Sequence, residues 1–148
     1  MLATLSTAYA STLIQALSVP LPSFDVLFGP AYKGIPFAAT TALAIYTQHE
    51  VNVGFAYDRK EAKDHGEGGL MVGASLQGKR VVILTSGKAV HGAIDTVRKY
   101  GGEVVDVVQA LDREEVGQDG TSSTVKEIER LIGEGRVLSI LEMRDLMQ

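Results

Sequence analysis

Residues 80–94, RVVILTSGKAVHGAI, constrain the fold more than any other stretch. Val81, Val82, Ile83 and Leu84 form an unbroken apolar run, the mark of a strand buried on both faces. The run opens into a loop carrying Gly87 and then into a helix. That succession belongs to a parallel sheet. It sets the N–H groups of a helix N-terminus at the carboxyl edge of a strand, where α/β proteins hold phosphate. The loop nevertheless carries Lys88, Val90 and His91 where a tight phosphate nest would want small residues.

The rest of the chain repeats the alternation. Residues 24–29, FDVLFG, read as a buried strand ended by Gly29-Pro30. Residues 34–49 read as a helix whose Ala38, Ala39, Ala42, Leu43 and Ile45 would approach a sheet closely. Strands are expected over 51–57, 80–85, 103–111 and 137–141, with helices over 89–100 and 121–132 and a last helical turn over 142–147. Gly101-Gly102 closes the helix over 89–100. The expected fold is therefore α/β: a parallel sheet covered on both faces by helices. With 148 residues and 45% hydrophobic content, residues 1–148 are expected to form a single domain.

Charge and composition exclude several classes. A net charge of −4 argues against nucleic-acid binding by phosphate neutralisation. The chain has no cysteine, so it has no disulfide, thiol nucleophile or thiolate metal site. Residues 1–19 lack a basic leader and place Leu5, Ala8, Leu13 and Leu17 on one helical face, so they read as a helix of the fold rather than a signal peptide. No membrane span is expected, and the location is expected to be cytoplasmic.

Chemistry-bearing residues gather at the expected strand ends. In FGPAYKGI, Lys33 follows the first strand and would meet a phosphate or carboxylate; the alternative is a solvated lysine in the first helical turn. In RKEAKDHGEGG, residues 59–69, Arg59, Lys60, Lys63 and His65 stand beside Glu61, Asp64 and Glu67. Such a loop can close over a polyanion and exclude water, with His65 moving a proton; it also reads as an ordinary charged surface loop. Gly66, Gly68 and Gly69 favour the hinge.

FDVLFGPAYKGIPFAATTALA, FAYDRKEAKDHGEGG and LDRE (residues 111–114) together resemble the orotate phosphoribosyltransferases, from about Leu5 onward. The resemblance implies a type I phosphoribosyltransferase fold that moves ribose 5-phosphate from phosphoribosyl pyrophosphate to orotate with magnesium. It also implies a homodimer in which the mobile loop reaches the neighbouring site. By position Tyr32 and Lys33 would serve the diphosphate and ribose. Arg59, Lys60, Lys63 and His65 would clamp pyrophosphate, and Arg113 would hold the orotate carboxylate.

The sequence departs from that family at two places. Two adjacent acids that hold the ribose hydroxyls fall here on Thr85 and Ser86, and the Thr-Ala-Gly-Thr phosphate loop falls on Ala89, Val90, His91 and Gly92. The family's N-terminal Lys-Ser-Gly-Arg motif does not occur before Phe24, so the orotate-covering segment is expected to be missing and the base pocket to lack a wall. These departures lead to the expectation that phosphoribosyl transfer is lost and the cavity repurposed for isomerase, cyclase or lyase chemistry. His91 would be the general base, with Ser86 and Lys88 beside it, His65 as a second proton carrier and Thr85 among the ligand contacts. His91 also reads as a surface histidine filling the emptied phosphate space.

The alternatives are a non-catalytic protein that binds a metabolite or pairs with an intact paralogue, and residual orotate phosphoribosyl transfer. No metal or cofactor is expected, magnesium and phosphoribosyl pyrophosphate entering only if the family reaction survives. The expected partners are a small-molecule ligand and a second subunit, in a homodimer or a heterodimer with the paralogue.

Overall fold

The computed structural model describes Thr7, Ala10, Ser11, Leu13, Ile14 and residues 24–59, 71–85, 90–112 and 124–142. Its elements are β1 (Val26–Gly29), α1 (Gly34–His49), β2 (Gly54–Asp58), β3 (Met71–Gly73), β4 (Arg80–Thr85), α2 (Val90–Lys99), β5 (Glu103–Asp112), α3 (Thr124–Ile132) and β6 (Val137–Glu142). They form a six-stranded sheet in the order β3-β2-β1-β4-β5-β6. Every pairing is parallel except that of β3 with β2.

Strand alternation sorts the side chains into two cores. Val81 and Ile83 join Phe28, Ala56 and Val107 on one face, covered by Val90, Ala93, Ile94 and Val97 of α2 and Ile128 of α3. Val82 and Leu84 join Leu27 and Val108 on the other, covered by Ala38, Ala44 and Ile45 of α1 with Ala10 and Leu13. Each Val, Leu, Ile or Phe side chain among them contributes about 1.5–3 kcal/mol by leaving water. The apolar run of β4 is unbroken because both its faces are buried.

Connectivity fixes where a ligand can sit. From β1 the chain passes through α1 to β2 on one side, and β4 then lies on the other side of β1. Helices α1 and α2 cover opposite faces. In sheets of this topology ligands bind where the direction of winding reverses, which here is at the carboxyl ends of β1 and β4. Backbone closeness there is enforced by glycine. A Cβ on Gly29 would overlap the Gly34 carbonyl, and one on Gly34 would lie 2.7 Å from Pro30 Cδ and 2.9 Å from the Leu84 carbonyl oxygen.

The opposite end of the sheet is tied by charge. Arg80 donates from Nη2 to Asp25 Oδ1 at 3.0 Å and from Nε to Oδ2 at 3.1 Å, and its backbone N–H reaches Oδ2 at 2.9 Å. These hydrogen bonds hold the Asp25 carboxyl down at about 2. A second acid has the reverse setting. The β4–β5 register jumps between Val81↔Val104 and Val82↔Asp106, so Val105 is an extra residue, and its carbonyl accepts from Arg136 Nη1 at 3.1 Å. Asp106 beside this bulge is buried, and burial pushes its carboxyl up to about 6 against the pull of Arg136.

Several elements differ from the sequence expectation. Strand β3 and its antiparallel pairing were not foreseen, because three residues next to a glycine-rich stretch carry no periodicity. Leu43 points to solvent rather than to the sheet, as does Tyr46; the buried stripe of α1 is Gly34, Ala38, Thr41, Ala44 and Ile45. Small residues all round α1 blur which face is inward. Strand β6 runs through Glu142, where a helical turn was expected; residues 143–148 lie outside the described ones.

Candidate functional site

The carboxyl edge of the sheet gathers the turn after β1, the end of β2 and the end of β4. Pro30 to Lys33 form a tight turn: Gly34 N–H donates to the Pro30 carbonyl at 3.0 Å and Ile35 N–H to the Tyr32 carbonyl at 3.3 Å. The Ala31–Tyr32 peptide bond is cis. Tyr32 and Lys33 are exposed at this turn, Tyr32 to 66%, an unusual setting for so large an aromatic. Lys33 precedes the first helical residue of α1 and makes no capping hydrogen bond with its side chain.

Asp58 ends β2, and Arg59 follows it. The Ala31 N–H donates to Asp58 Oδ1 at 2.7 Å, so the turn after β1 is fastened to the end of β2. Thr85 ends β4 and is buried opposite Gln109 of β5, also buried. Four sequence candidates, Tyr32, Lys33, Arg59 and Thr85, thus share the carboxyl edge of one sheet.

His91 occupies the first turn of α2. Its Nε2 lies 3.3 Å from Glu127 Oε2 on α3, and both atoms are buried. The imidazole therefore directs that nitrogen at a neighbouring helix, and an acid stands behind it that the sequence did not reveal. Ser86, Lys88, Lys60, Lys63, His65 and Arg113 lie outside the described residues.

Two further polar residues escaped sequence reasoning. Asp58 sits beside the RKEAKDHGEGG stretch and reads there as one more surface charge. Glu127 lies on a strongly amphipathic helix where acids normally face water; only the packing of α2 against α3 turns it inward.

Among the described residues no cluster of three His, Asp or Glu could hold a metal ion. Magnesium accompanying a diphosphate needs few protein ligands, since the phosphate oxygens and water supply most of its shell. The edge is compatible with such an ion, for Asp58 Oδ1 is engaged by an amide while the same carboxylate keeps a second oxygen. No helix among the described residues is long and apolar enough to cross a membrane.

Comparison with known proteins gives this geometry a relationship. A family model for the phosphoribosyl transferase domain matches residues 7–133. The chain is 43% identical to the orotate phosphoribosyltransferase of Colwellia psychrerythraea over 99% of its own length and 65% of the relative's. It is 45% identical to that of Aeromonas salmonicida over 84% of its length and 58% of the relative's. It thus spans under two thirds of these two curated relatives. Among solved structures, orotate phosphoribosyltransferase from Francisella tularensis superposes with a TM-score of 0.77 at 29% identity, covering 98% of this chain and 68% of that one. The Mycobacterium tuberculosis orotate phosphoribosyltransferase bound to Fe(III) dicitrate gives 0.72 at 25% identity, covering 96% and 75%.

These similarities overturn the expectation of lost transfer and a repurposed or non-catalytic cavity. Relatives at 43% and 45% identity carry the transferase name, and the similarity runs through the whole framework rather than one motif. The physical reason the expectation failed is its weighting. It let two hydroxyl-for-carboxylate exchanges and one altered loop outweigh a similarity that runs over nearly the whole chain, although a serine still presents an oxygen ligand to a sugar.

Proposed function

The chain belongs to the phosphoribosyl transferase family, and from that membership we propose that it transfers ribose 5-phosphate from phosphoribosyl pyrophosphate to orotate. The observation that carries the reading is the 43% identity to a named orotate phosphoribosyltransferase across 99% of the chain. The gathering of Tyr32, Lys33 and Arg59 at the carboxyl ends of β1 and β2 supports it, because that is where a phosphorylated sugar meets a sheet of this topology.

In this reading the reacting bond joins the sugar C1 to the diphosphate oxygen. As it breaks, the electron pair leaves with pyrophosphate and positive charge grows on the ribose. A ring nitrogen of orotate supplies the new bond to C1. Lys33 and Arg59, with Lys60 and Lys63, oppose the charge of the departing pyrophosphate, and His65 in the same segment can carry a proton to it. Tyr32 covers the turn between them. Ser86, next to the buried Thr85, offers a hydroxyl to the ribose, and the N-terminus of α2 faces the 5-phosphate. Arg113 pairs with the orotate carboxylate. Magnesium, when bound with the diphosphate, neutralises part of its charge. Neutral hydroxyls stabilise a cationic sugar less than carboxylates, so turnover is expected to be slower than in relatives that retain the acids. The finer assembly is a homodimer, for which Leu43 and Tyr46, exposed on the outer face of α1, provide apolar surface.

The test is to incubate the protein with phosphoribosyl pyrophosphate, magnesium and orotate and follow orotate loss and pyrophosphate release. Stoichiometric formation of both products supports the reading. No consumption of orotate above the protein-free control, at enzyme concentrations that would reveal one turnover per hour, removes it.

A further inference from the structure

The first turn of α2 opens with Val90 and His91, side chains too large for a tight phosphate nest. In a helix every Cα–Cβ bond tilts towards the N-terminus, so a long side chain in the first turn projects over the amides that lack intrahelical partners. The structure moves both side chains out of the way. Val90 is fully buried in the core beneath α2. His91 is drawn sideways: its Nε2 lies 3.3 Å from Glu127 Oε2, and both atoms are buried. Glu127 belongs to α3, which lies over β5 and β6, on the side of β4 away from β1. The ring thus leans away from the reversal of winding between β1 and β4, where a ligand is expected. The next residue adds no bulk, for a Cβ built on Gly92 would meet nothing within 4 Å among the described residues. An ionised carboxylate only accepts, so the nitrogen facing Glu127 carries a proton.

We propose that Glu127 is a positioning residue that keeps the His91 ring off the N-terminus of α2, so that the first-turn amides stay open to the 5-phosphate of the substrate. The proposal rests on the transferase reading for the place of the phosphate and adds a residue that touches no substrate. Clearance of this kind acts on binding of the phosphate group and leaves the chemistry at the sugar C1 alone, so it is read in KM rather than kcat. It also makes the two residues interdependent, because Glu127 matters only while His91 has a ring to hold.

The test compares wild type with Glu127→Met, Glu127→Gln, His91→Ala and the double variant Glu127→Met/His91→Ala, each checked for folding by urea melts. The readouts are calorimetric affinity for ribose 5-phosphate and KM for phosphoribosyl pyrophosphate against kcat. Glu127→Met is expected to weaken ribose 5-phosphate and raise KM about tenfold, with kcat within about threefold. Glu127→Gln, whose amide oxygen accepts the same proton, is expected to stay within about threefold of wild type. His91→Ala and the double variant are expected to bind within about threefold of wild type, since no ring remains to obstruct the helix. Wild-type affinity in Glu127→Met overturns the proposal, as does a double variant as weak as Glu127→Met. A tenfold loss in His91→Ala also overturns it, because the ring would then be a phosphate ligand. If Glu127→Met does not fold, His91→Ala decides alone. The affinities are read without turnover, so a wild type that binds ribose 5-phosphate yet consumes no orotate removes the transferase reading only. A wild type that does neither removes both.

Discussion

The two ends of the sheet use acids for different purposes. At the amino end Asp25 faces Arg80 in a forked pair, and each largely satisfies the other. At the carboxyl end Asp58 accepts from a backbone amide instead, and the nearby Lys33 stands exposed. Side-chain charge closed upon itself fastens strands together. Charge left open beside a tight turn can receive a ligand. The glycines differ in what they meet. A Cβ on Gly29 or Gly34 at the carboxyl end would lie within 3 Å of main chain. At the amino end one on Gly54 or Gly102 would first meet a side chain, Ala74 Cβ at 2.9 Å or Val97 Cγ1 at 2.8 Å, and one on Gly78 would meet nothing within 4 Å.

The largest break in that comparison is expected from Gly29→Ala. Its Cβ would overlap the Gly34 carbonyl, which is backbone and cannot rotate away. Unfolding by urea should show a loss beyond the usual overpacking range of about 1–3 kcal/mol, with the turn bearing Lys33 displaced. Gly78→Ala is the control. It meets no atom within 4 Å and bears only the strain of φ +70°, so about 1 kcal/mol is expected. Equal losses at the two glycines would show that main-chain contact at Gly29 is not what makes the carboxyl end rigid.

Next in size is the acid that belongs to neither end. Asp106 titrates at about 6 in the fold against an ordinary carboxylate in the unfolded chain. The folded state therefore binds more protons between about pH 4 and 6, and stability falls as pH rises through that window, then levels. Asp106→Asn is expected to remove the slope and to stabilise the protein at pH 8 by up to about 3 kcal/mol, measured by urea melts across pH. A slope that persists in the variant would assign it to another group.

The frame of the molecule was readable because burial on two faces leaves a plain signal. The run Val81–Leu84 fixed β4 to the residue, and α1 spans the 34–49 expected for it. What escaped depends on neighbours distant in the chain. Neither β3 nor the Asp58–Ala31 contact has a local pattern, since each exists only once β1 and β2 lie side by side. Glu127 likewise looks solvated until α3 is laid against α2. The family reading came from long motifs at the carboxyl edge; the mistaken inference of lost function came from reading two side chains apart from the frame that carries them.

Those two side chains offer the next sharpening of the contrast, this time in rate. If the carboxyl end is an open site for a cationic sugar, Ser86→Asp should raise kcat for orotate consumption about tenfold to a hundredfold. That is less than the 10²–10³ associated with a fully preorganised group, because its neighbour is still Thr85. A drop in kcat at unchanged stability would mean that the hydroxyl, and not a carboxylate, is what this edge requires.

The smallest effect belongs to the amino end. Arg80 holds the Asp25 carboxyl at about 2, below its unfolded value, so the pair's contribution is fully present above about pH 4 and is lost as pH falls through about 2. The side chains are 34% and 42% exposed, and water and salt screen much of the attraction. Asp25→Asn should therefore shift the acid-unfolding midpoint only slightly, and 0.5 M salt should shrink even that difference. It should leave KM for phosphoribosyl pyrophosphate unchanged, because the substitution lies at the opposite edge of the sheet from Lys33 and Arg59. A changed KM would show that the amino-end clasp sets the carboxyl-end site after all, carried along β4 from Arg80 to Thr85.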